Sequence, residues 1–271
     1  MPLVSMVQFL FMTGPFTTVA EVIAELPEPI ETDRSVYEHP RSLLQEYDDI
    51  LCKYEQLKKG DYSDVQVMDE QGRAVDAFTA AGALIQQEIM TRELERINSA
   101  LCAPCGCTLC CVGPDDVMAQ EFFEIPLQPD ELDLFSVSRH ENDESLKSSP
   151  YDDNELLCNG LPFYRIDGPG VFHWRTGWSL ILPKGSLCPN LDGETGRCQV
   201  YEERPRVCRR PQMFPYLVEP VGKEQDEQEA FRIRESLLAI VDCPYVRDLQ
   251  GEIAEYASAS GLQLILKQNK A

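Results

Sequence analysis

Five of the 11 cysteines in this 271-residue chain lie within ten residues of one another. They form the segment Cys102-Ala-Pro-Cys105-Gly-Cys107-Thr-Leu-Cys110-Cys111, which contains two Cys-x-x-Cys pairs. In such a pair, two thiolates can converge on one ion across a tight turn, which suits Zn²⁺ or the iron of an iron–sulfur cluster. Packing does not explain this density, because reactivity usually decides why a free cysteine is present. The segment therefore predicts a metal site.

A second cysteine group, Cys188, Cys198 and Cys208, follows later in the chain. We expect the two groups to meet in space and to bind the metal together, with Cys243 as a further late ligand. Thiolates are soft ligands that select Zn²⁺ or iron–sulfur clusters. The candidate ligands are Cys102, Cys105, Cys107, Cys110, Cys111, Cys188, Cys198, Cys208 and Cys243.

These thiolates exceed the needs of one tetrahedral ion. Adjacent Cys110 and Cys111 have difficulty in pointing at the same ion. The sequence leaves open whether they serve two irons, two ions, or one ligand and one core residue. The surplus favours an iron–sulfur cluster, with [4Fe–4S] as the expected type, over zinc. Cys52 is expected to be structural.

Two other features accompany the cysteines. Arginines 204, 206, 209 and 210 either pair with Glu202, Glu203 and the acidic surface or form an anion site beside the metal. His173 lies before the second cysteine group, where an imidazole could be a further ligand. On a strand between Phe172 and Trp174, a structural histidine is the favoured interpretation.

The overall charge limits the possible partners. The chain has 24 Lys and Arg against 46 Asp and Glu, a formal charge of −22. This balance argues against nucleic acid and anionic membranes, which bind Lys and Arg surfaces. The apolar residues 1–12 are too short for a membrane span and have no basic residue before Arg34, so they predict a docking segment or buried strand. We expect a cytoplasmic protein with reduced thiols.

The hydrophobic periodicity must supply the elements that position these cysteines. It predicts helices at 41–59 and 77–100, packed antiparallel, and two C-terminal helices at 227–241 and 245–260. Lys58-Lys59-Gly60 is a helix end. A weak hairpin is expected at 64–75, a strand at 121–125, a hairpin joining 161–166 to 171–174, and a third strand at 178–182.

The expected fold class is α+β, a helical scaffold with a small antiparallel sheet, stapled by a cysteine-ligated metal centre. Residues 1–38 are predicted to be an N-terminal tail and linker. Residues 39–271 are predicted to form a single cysteine-cluster domain, with a flexible acidic insertion at 128–157.

The later cysteine segment resembles the CxxCxxCC, or YkgJ-like, cysteine-cluster family. The matching residues are Cys188, Pro189, Leu191, Cys198, Tyr201, Arg204, Pro205, Cys208 and Arg209. In the early segment Cys102, Cys105, Gly106 and the pair Cys110-Cys111 fit, while two extra residues, including Cys107, lie between them. The resemblance covers roughly residues 100–245 and implies a domain that chelates zinc or iron through cysteines. It leaves open which of the five early cysteines bind.

Three functions remain open. The first is a metal-binding protein that serves as a carrier, sensor or assembly subunit. The second is an enzyme, because flagellin lysine N-methylases contain a similar cysteine-cluster region. The third is a zinc-stapled module that binds a protein partner. The sequence lacks a phosphate-binding loop, a dinucleotide fingerprint, a nucleophile elbow and a zinc-protease helix, so it leaves enzymatic activity undecided.

Overall fold

A computed structural model of the protein describes residues 2–32, 35–61, 65–210, 212–221 and 230–268. The architecture is mixed α+β with several small sheets, which confirms the expected fold class at that level. The chain divides into two compact units. The first contains Met1–Leu94, Phe214–Ala239 and Gln250–Leu266, and the second contains Glu95–Met213, Ile240–Leu249 and Lys267–Ala271.

Nine α-helices lie in the described part of the chain. They are α1 (Pro2–Thr13), α2 (Val19–Glu25), α3 (Pro40–Gln45), α4 (Asp48–Leu51), α5 (Lys53–Lys59), α6 (Ala77–Cys105), α7 (Arg206–Arg209), α8 (Pro244–Asp248) and α9 (Gln250–Ala259). None of the helices in these described ranges is long and apolar enough to cross a membrane.

The same ranges contain 12 strands. They are β1 (Ile30–Glu31), β2 (Val36–Tyr37), β3 (Gln66–Met68), β4 (Phe122–Leu127), β5 (Arg139–His140), β6 (Leu157–Cys158), β7 (Leu161–Pro162), β8 (Gly170–Trp174), β9 (Gly177–Pro183), β10 (Met213–Val221), β11 (Ala230–Ile240) and β12 (Gln263–Lys267).

The apolar residues 1–12, for which a docking segment or a buried strand was expected, lie in helix α1 and not in a strand. Leu3, Val4, Val7 and Phe11 recur at the three- and four-residue steps of a helix, and α1 buries all four in the core of the first unit. Helix α2 begins with a capping box, in which Thr18 and Glu21 each accept a hydrogen bond from the backbone of the other. Val19 and Val22 of α2 join the same core. The helical spacing of its apolar residues, and not its overall composition, therefore indicates the secondary structure of this segment.

Helices α3, α4 and α5 replace the single helix that was predicted for residues 41–59. They pack antiparallel to the first part of α6, since Asp49 pairs with Arg92 and Lys53 pairs with Glu88. Tyr47 and Tyr54 are buried between them. Helix α5 ends as predicted, because Gly60 adopts the left-handed conformation with φ of 75°.

The first unit also contains a sheet in which β10, β11 and β12 are neighbours and β3 pairs parallel with β11. Strand β11 contradicts the helix predicted for 227–241, of which residues 227–229 lie outside the described residues. Phe231 and Ile233 fit a strand as well as a helix, and pairing with β3 selects the strand. The predicted helix at 245–260 is confirmed as α8 and α9.

In the second unit, four strands form a sheet in the order β4-β9-β8-β5. Antiparallel pairing joins β4 to β9 and β8 to β9, while β5 pairs parallel with β8. The expected hairpin between 161–166 and 171–174 is therefore wrong, because β9 is the hairpin partner of β8. Residues Phe163–Arg165 form a 3₁₀ turn instead. Phe163 packs against the buried rings of Phe172 and Trp174.

The acidic segment 128–157 has local structure at both ends and in its middle. It contains a 3₁₀ helix at Pro129–Leu134, strand β5 and a second 3₁₀ turn at Ser145–Lys147. Its buried members include Glu131, Leu132 and Phe135. The expected flexibility of this acidic insertion stays a prediction.

Candidate metal centre

Helix α6 carries the first two cysteines of the early group. The helix runs five residues beyond its predicted end and includes Cys102 and Cys105 in its last turns. Gly106 follows with φ of 62°, a conformation that favours glycine and ends the helix. Cys107, Cys110 and Cys111 lie in the loop beyond, where the amide of Cys111 donates to Thr108 O at 2.7 Å.

Backbone contacts join the early and late cysteine groups. The amide of Cys188 donates to the carbonyl of Cys111 at 2.8 Å, and Val112 and Leu187 form an antiparallel bridge. Gly113 continues this contact by donating to Ser186 O at 2.8 Å. A Cβ at Gly113 would lie 2.0 Å from the carbonyl oxygen of Pro183, so this close approach requires glycine.

Short turns position the other two late cysteines. Cys198 bridges to Leu191 after a turn in which the Asp192 carboxylate accepts the amides of Glu194 and Thr195, both at 2.9 Å. Cys208 lies in α7. Its amide donates to Pro205 O at 2.9 Å.

Cys243 is the N-cap residue of helix α8, and a buried hydrogen bond connects that helix to α6. The hydroxyl of Tyr245 donates to Asn98 Oδ1 at 2.6 Å. Asn98 is fully buried and lies one turn before Cys102. The fold therefore brings Cys243 to the end of the helix that carries Cys102 and Cys105.

Burial is the main influence on the pKa values of the thiols in this region. It raises the pKa of Cys208 to about 12, and the thiolate charges of Cys188, Cys110 and Cys198 raise it further, opposed by Arg204. Burial likewise raises the pKa of Cys107 to about 12. Cys110 is exposed as a residue, but its sulfur is covered by protein atoms, and this desolvation raises its pKa. The thiolate form therefore requires a compensating positive charge.

Arg204 supplies one such charge from a buried position. Its side chain is 5% exposed, and its guanidinium stacks on the Tyr201 ring at 3.9 Å. Nη2 donates to Ser99 Oγ at 2.6 Å, Nη1 to Tyr201 O at 3.0 Å, and Nε to Cys208 O at 3.1 Å. After the dominant effect of burial, the charge of Arg204 lowers the pKa of Cys102.

The neighbouring arginines behave differently. Arg206 lies near Asp130 and Glu131, and Arg210 pairs with Glu95 at 2.6 Å. This agrees with the interpretation that these arginines neutralise the acidic surface, although the partners are not the expected Glu202 and Glu203. Arg209 instead donates to the Arg204 carbonyl at 2.9 Å.

The remaining candidates lie in other surroundings. His173 stacks on Trp178 with ring centroids 4.1 Å apart, and its Nδ1 is 3.5 Å from Glu141 Oε1. Burial and the carboxylates of Glu55, Asp48 and Asp49 raise the pKa of Cys52. Cys158 packs against the aromatic cluster of Phe163, Phe172 and Trp174.

All 11 cysteines are free thiols. Within the described ranges, no three histidine, cysteine or acidic side chains already converge closely enough to hold an ion. Thiol ligands bind a metal as thiolates, so metal binding releases their protons and is coupled to folding. Cysteine sulfur is the donor that zinc and iron–sulfur clusters prefer, so the residues fit these groups chemically.

The structure adds residues that sequence analysis did not assign to the site. Asn98, Ser99 and Tyr245 have no distinguishing pattern, because their partners are distant in sequence. Gln212 donates to the Cys110 sulfur at 3.3 Å. Tyr201 was visible only as a member of the family motif, whereas Arg204 was also one of the four clustered arginines.

One comparison with known proteins gave a match, to a family profile. The profile of the CxxCxxCC family, described as "Putative zinc- or iron-chelating domain", matches residues 101–236, half of the chain. The match includes eight of the nine candidate cysteines and ends before Cys243. No curated protein and no solved structure gave a significant match. The chain belongs to the CxxCxxCC family.

Proposed function

We propose that this protein binds a metal centre, an iron–sulfur cluster or zinc, through its two cysteine groups and acts as a carrier, sensor or assembly subunit. The observation that carries this proposal is the buried guanidinium of Arg204. A charge removed from water requires an opposite charge nearby. Within the described chain, no carboxylate lies within ion-pairing distance of Arg204.

Two cysteine thiols lie within the electrostatic influence of Arg204. Its charge lowers the pKa values of Cys102 and Cys208, which burial raises, and these two cysteines belong to different groups. A metal converts neutral thiols into thiolates, and a centre with several thiolates carries net negative charge. Arg204 is therefore placed to stabilise a metal–thiolate centre, whereas it gains no ionic partner from protonated thiols.

Either metal fits this environment, and the surplus of thiols favours iron. Two groups that lie far apart in sequence and meet through backbone contacts also suit a centre that contributes to folding. Reduced thiols are stable in the cytoplasm, where we place the protein.

The test is metal analysis of protein purified without oxygen. We expect a brown protein with matching amounts of iron and acid-labile sulfide. A colourless protein with zinc alone would exclude the cluster and favour the zinc-stapled interaction module. Folded protein without any metal would refute the proposal. Binding of S-adenosylmethionine in calorimetry would instead favour the methyl-transfer function that the family resemblance suggests.

A further inference from the structure

Tyr151, Phe122 and Tyr164 form a row of aromatic rings on the second unit, which we call the aromatic row. The Phe122 ring centroid lies 5.8 Å from that of Tyr151 and 5.5 Å from that of Tyr164. Buried Phe163 packs edge-on against Phe122 at 4.9 Å and against Tyr164 at 5.1 Å. Tyr151 remains 71% exposed. A rigid core therefore presents aromatic surface to the solvent.

The hairpin of β6 and β7 adds aliphatic surface beside the aromatic row. Leu157 in β6 is 57% exposed, and Leu161 in β7 is 52% exposed. Cys158, which lies between them in sequence, packs against the same buried cluster that supports Phe122 and Tyr164. Large exposed apolar side chains that lie together, next to polar groups, are typical of a binding surface.

A groove of about 480 Å³ adjoins the aromatic row at Tyr164. Ile166 and Pro183 line it together with that ring, and Glu121 adds a carboxylate. Its volume lies within the range of about 300 to 1,000 Å³ that is usual for ligand pockets. The groove can therefore hold an apolar side chain of an extended segment whose neighbours contact the rings.

Carboxylates accompany the exposed rings. The Tyr164 hydroxyl donates to Glu155 Oε1 at 2.7 Å. Protein atoms around its hydroxyl, and next the charge of the Glu124 carboxylate, raise the pKa of Tyr151 to about 12. In the part of the chain that the structure describes, no lysine or arginine lies within ion-pairing distance of Glu124 or Glu155. Both carboxylates therefore keep a negative charge that an incoming cation can neutralise.

The two cations of the groove already have partners. Lys184 Nζ donates to Met118 O at 2.9 Å. Arg165 lies 3.8 Å from Glu121, and its guanidinium lies 5.9 Å from the centre of the Tyr164 ring. Arg165 thus shows the arrangement that suits an arginine of a partner, with an aromatic face on one side and a carboxylate nearby.

We propose that the aromatic row and its adjoining groove bind an extended basic peptide segment of a partner protein. Arginine or lysine side chains of the segment pack on the exposed rings beside Glu124 and Glu155, and its apolar side chains contact Leu157, Leu161 and the groove. Charge complementarity selects this occupant, because a chain of formal charge −22 attracts a basic segment and repels a second copy of itself. The inference goes beyond the proposed metal site and does not depend on it.

The test measures fluorescence anisotropy of labelled peptides with the full-length protein as isolated. The probe is a peptide of repeated Arg-Leu-Pro-Ser units, and the comparison peptides carry Gln or Glu in place of Arg. We expect the Arg peptide to bind tightest and to weaken as salt rises. Tyr151→Ala should weaken its binding about fivefold, since an exposed cation–π contact is lost.

The carboxylates are tested separately from the ring. Glu124→Gln and Glu155→Gln should each weaken binding of the Arg peptide about threefold, because they remove charge but keep a hydrogen-bond acceptor. The matched controls lie in the first unit: Phe9→Ala removes a ring that is 65% exposed, and Glu25→Gln removes an exposed carboxylate. Both controls should bind the Arg peptide as the wild type does.

Three results would overturn the inference. The first is no binding of the Arg peptide, or equal binding by Tyr151→Ala and the wild type. The second is tighter binding of the Glu peptide, which would mean that Arg165 and Lys184 determine the ligand. The third is self-association in sedimentation that Tyr151→Ala abolishes, which would make a second copy of the chain the occupant. The metal content of the same samples tests the proposed function independently.

Discussion

Arg204 is the residue whose role depends most directly on the metal. Its guanidinium is held by Ser99, Tyr201 and the carbonyl of Cys208, so its position is fixed by neutral groups. In the proposed metal centre, the thiolates would supply the negative charge that Arg204 lacks. The contribution of Arg204 to stability should therefore differ between the metal-loaded and the metal-free protein.

We predict that Arg204→Met lowers the free energy of unfolding of the metal-loaded protein by about 3 kcal/mol, because it leaves buried thiolate charge uncompensated. The loss should be smaller in metal-free protein, whose thiols are protonated. Arg204→Lys should recover part of the loss, since it keeps the charge but not the planar donor fork. Urea unfolding of both forms measures these differences.

The matched control is Arg206→Met, which removes an arginine whose side chain is 62% exposed. Its effect should stay within about 0.5 kcal/mol in either form. A loss for Arg204→Met that is equal with and without metal would show that the arginine supports only the local fold.

At the residue scale, the sequence predicts ligand types better than ligand assignments. The density of cysteines is sufficient to predict a thiolate site. Cys110 contacts Gln212 and Cys111 contacts Cys188, and these partners are distant in the sequence. Asn98 and Tyr245 escape prediction for the same reason, because an isolated Asn or Tyr gives no indication of its partner.

At the scale of elements, the acidic segment 128–157 supports the helix that carries Cys208. Glu131 is 7% exposed, and its carboxylate accepts the amide of Arg206 at 2.7 Å and that of Gln128 at 2.8 Å. Arg206 is the first residue of α7. A segment that composition describes as solvated thus contains one buried carboxylate that positions a candidate ligand.

We predict that Glu131→Ala destabilises the protein by about 2 kcal/mol, because it leaves two amides without their acceptor. It should also weaken Co²⁺ binding about tenfold, the usual effect of losing a group that orients a ligand. Asp133→Ala is the matched control, since that side chain is 95% exposed and pairs only with Arg139 among the described residues. Equal cobalt affinity of the two variants would contradict the role assigned to Glu131.

Helix α1 provides a second test at this scale. Phe11 is 1% exposed within the core of the first unit, whereas Phe9 is 65% exposed on the same helix. We predict that Phe11→Ala costs about 3 kcal/mol of unfolding free energy, as deletion of a buried ring does. Phe9→Ala should change it by less than about 0.5 kcal/mol. Similar small effects of both, measured by urea denaturation, would indicate that α1 is not part of the core.

The helices and strands also show where hydrophobic periodicity is sufficient to predict secondary structure. The stripe of α6 and the Gly60 helix end were predictable because local geometry decides them. Strand β11 was not, since Phe231, Ile233, Leu237 and Leu238 fit either period. Glu235 adopts φ of 44° within this strand. This conformation interrupts the alternation of side chains between the two faces of the sheet, so a search for two-residue periodicity misses the strand.

At the scale of the whole molecule, every proposed ligand belongs to the second compact unit. The ligands come from residues 102–111, 188–208 and 243, so the metal closes long loops within that unit. The first unit has its own cores, which include Phe11, Tyr54 and Ile89 in one cluster and Val67 and Val218 in another. Metal loss should therefore affect the two units unequally.

We predict that chelation of the metal accelerates amide hydrogen exchange across the second unit, most strongly at 106–112, 186–208 and 240–248. Protection in helices α1 and α5 of the first unit should change little, because their buried contacts do not involve the candidate ligands. Hydrogen-exchange mass spectrometry with and without chelator measures both regions in one sample. Cys52→Ser is the control and should reproduce the wild-type difference. A uniform loss of protection across both units would instead indicate that the metal stabilises the chain as one cooperative unit.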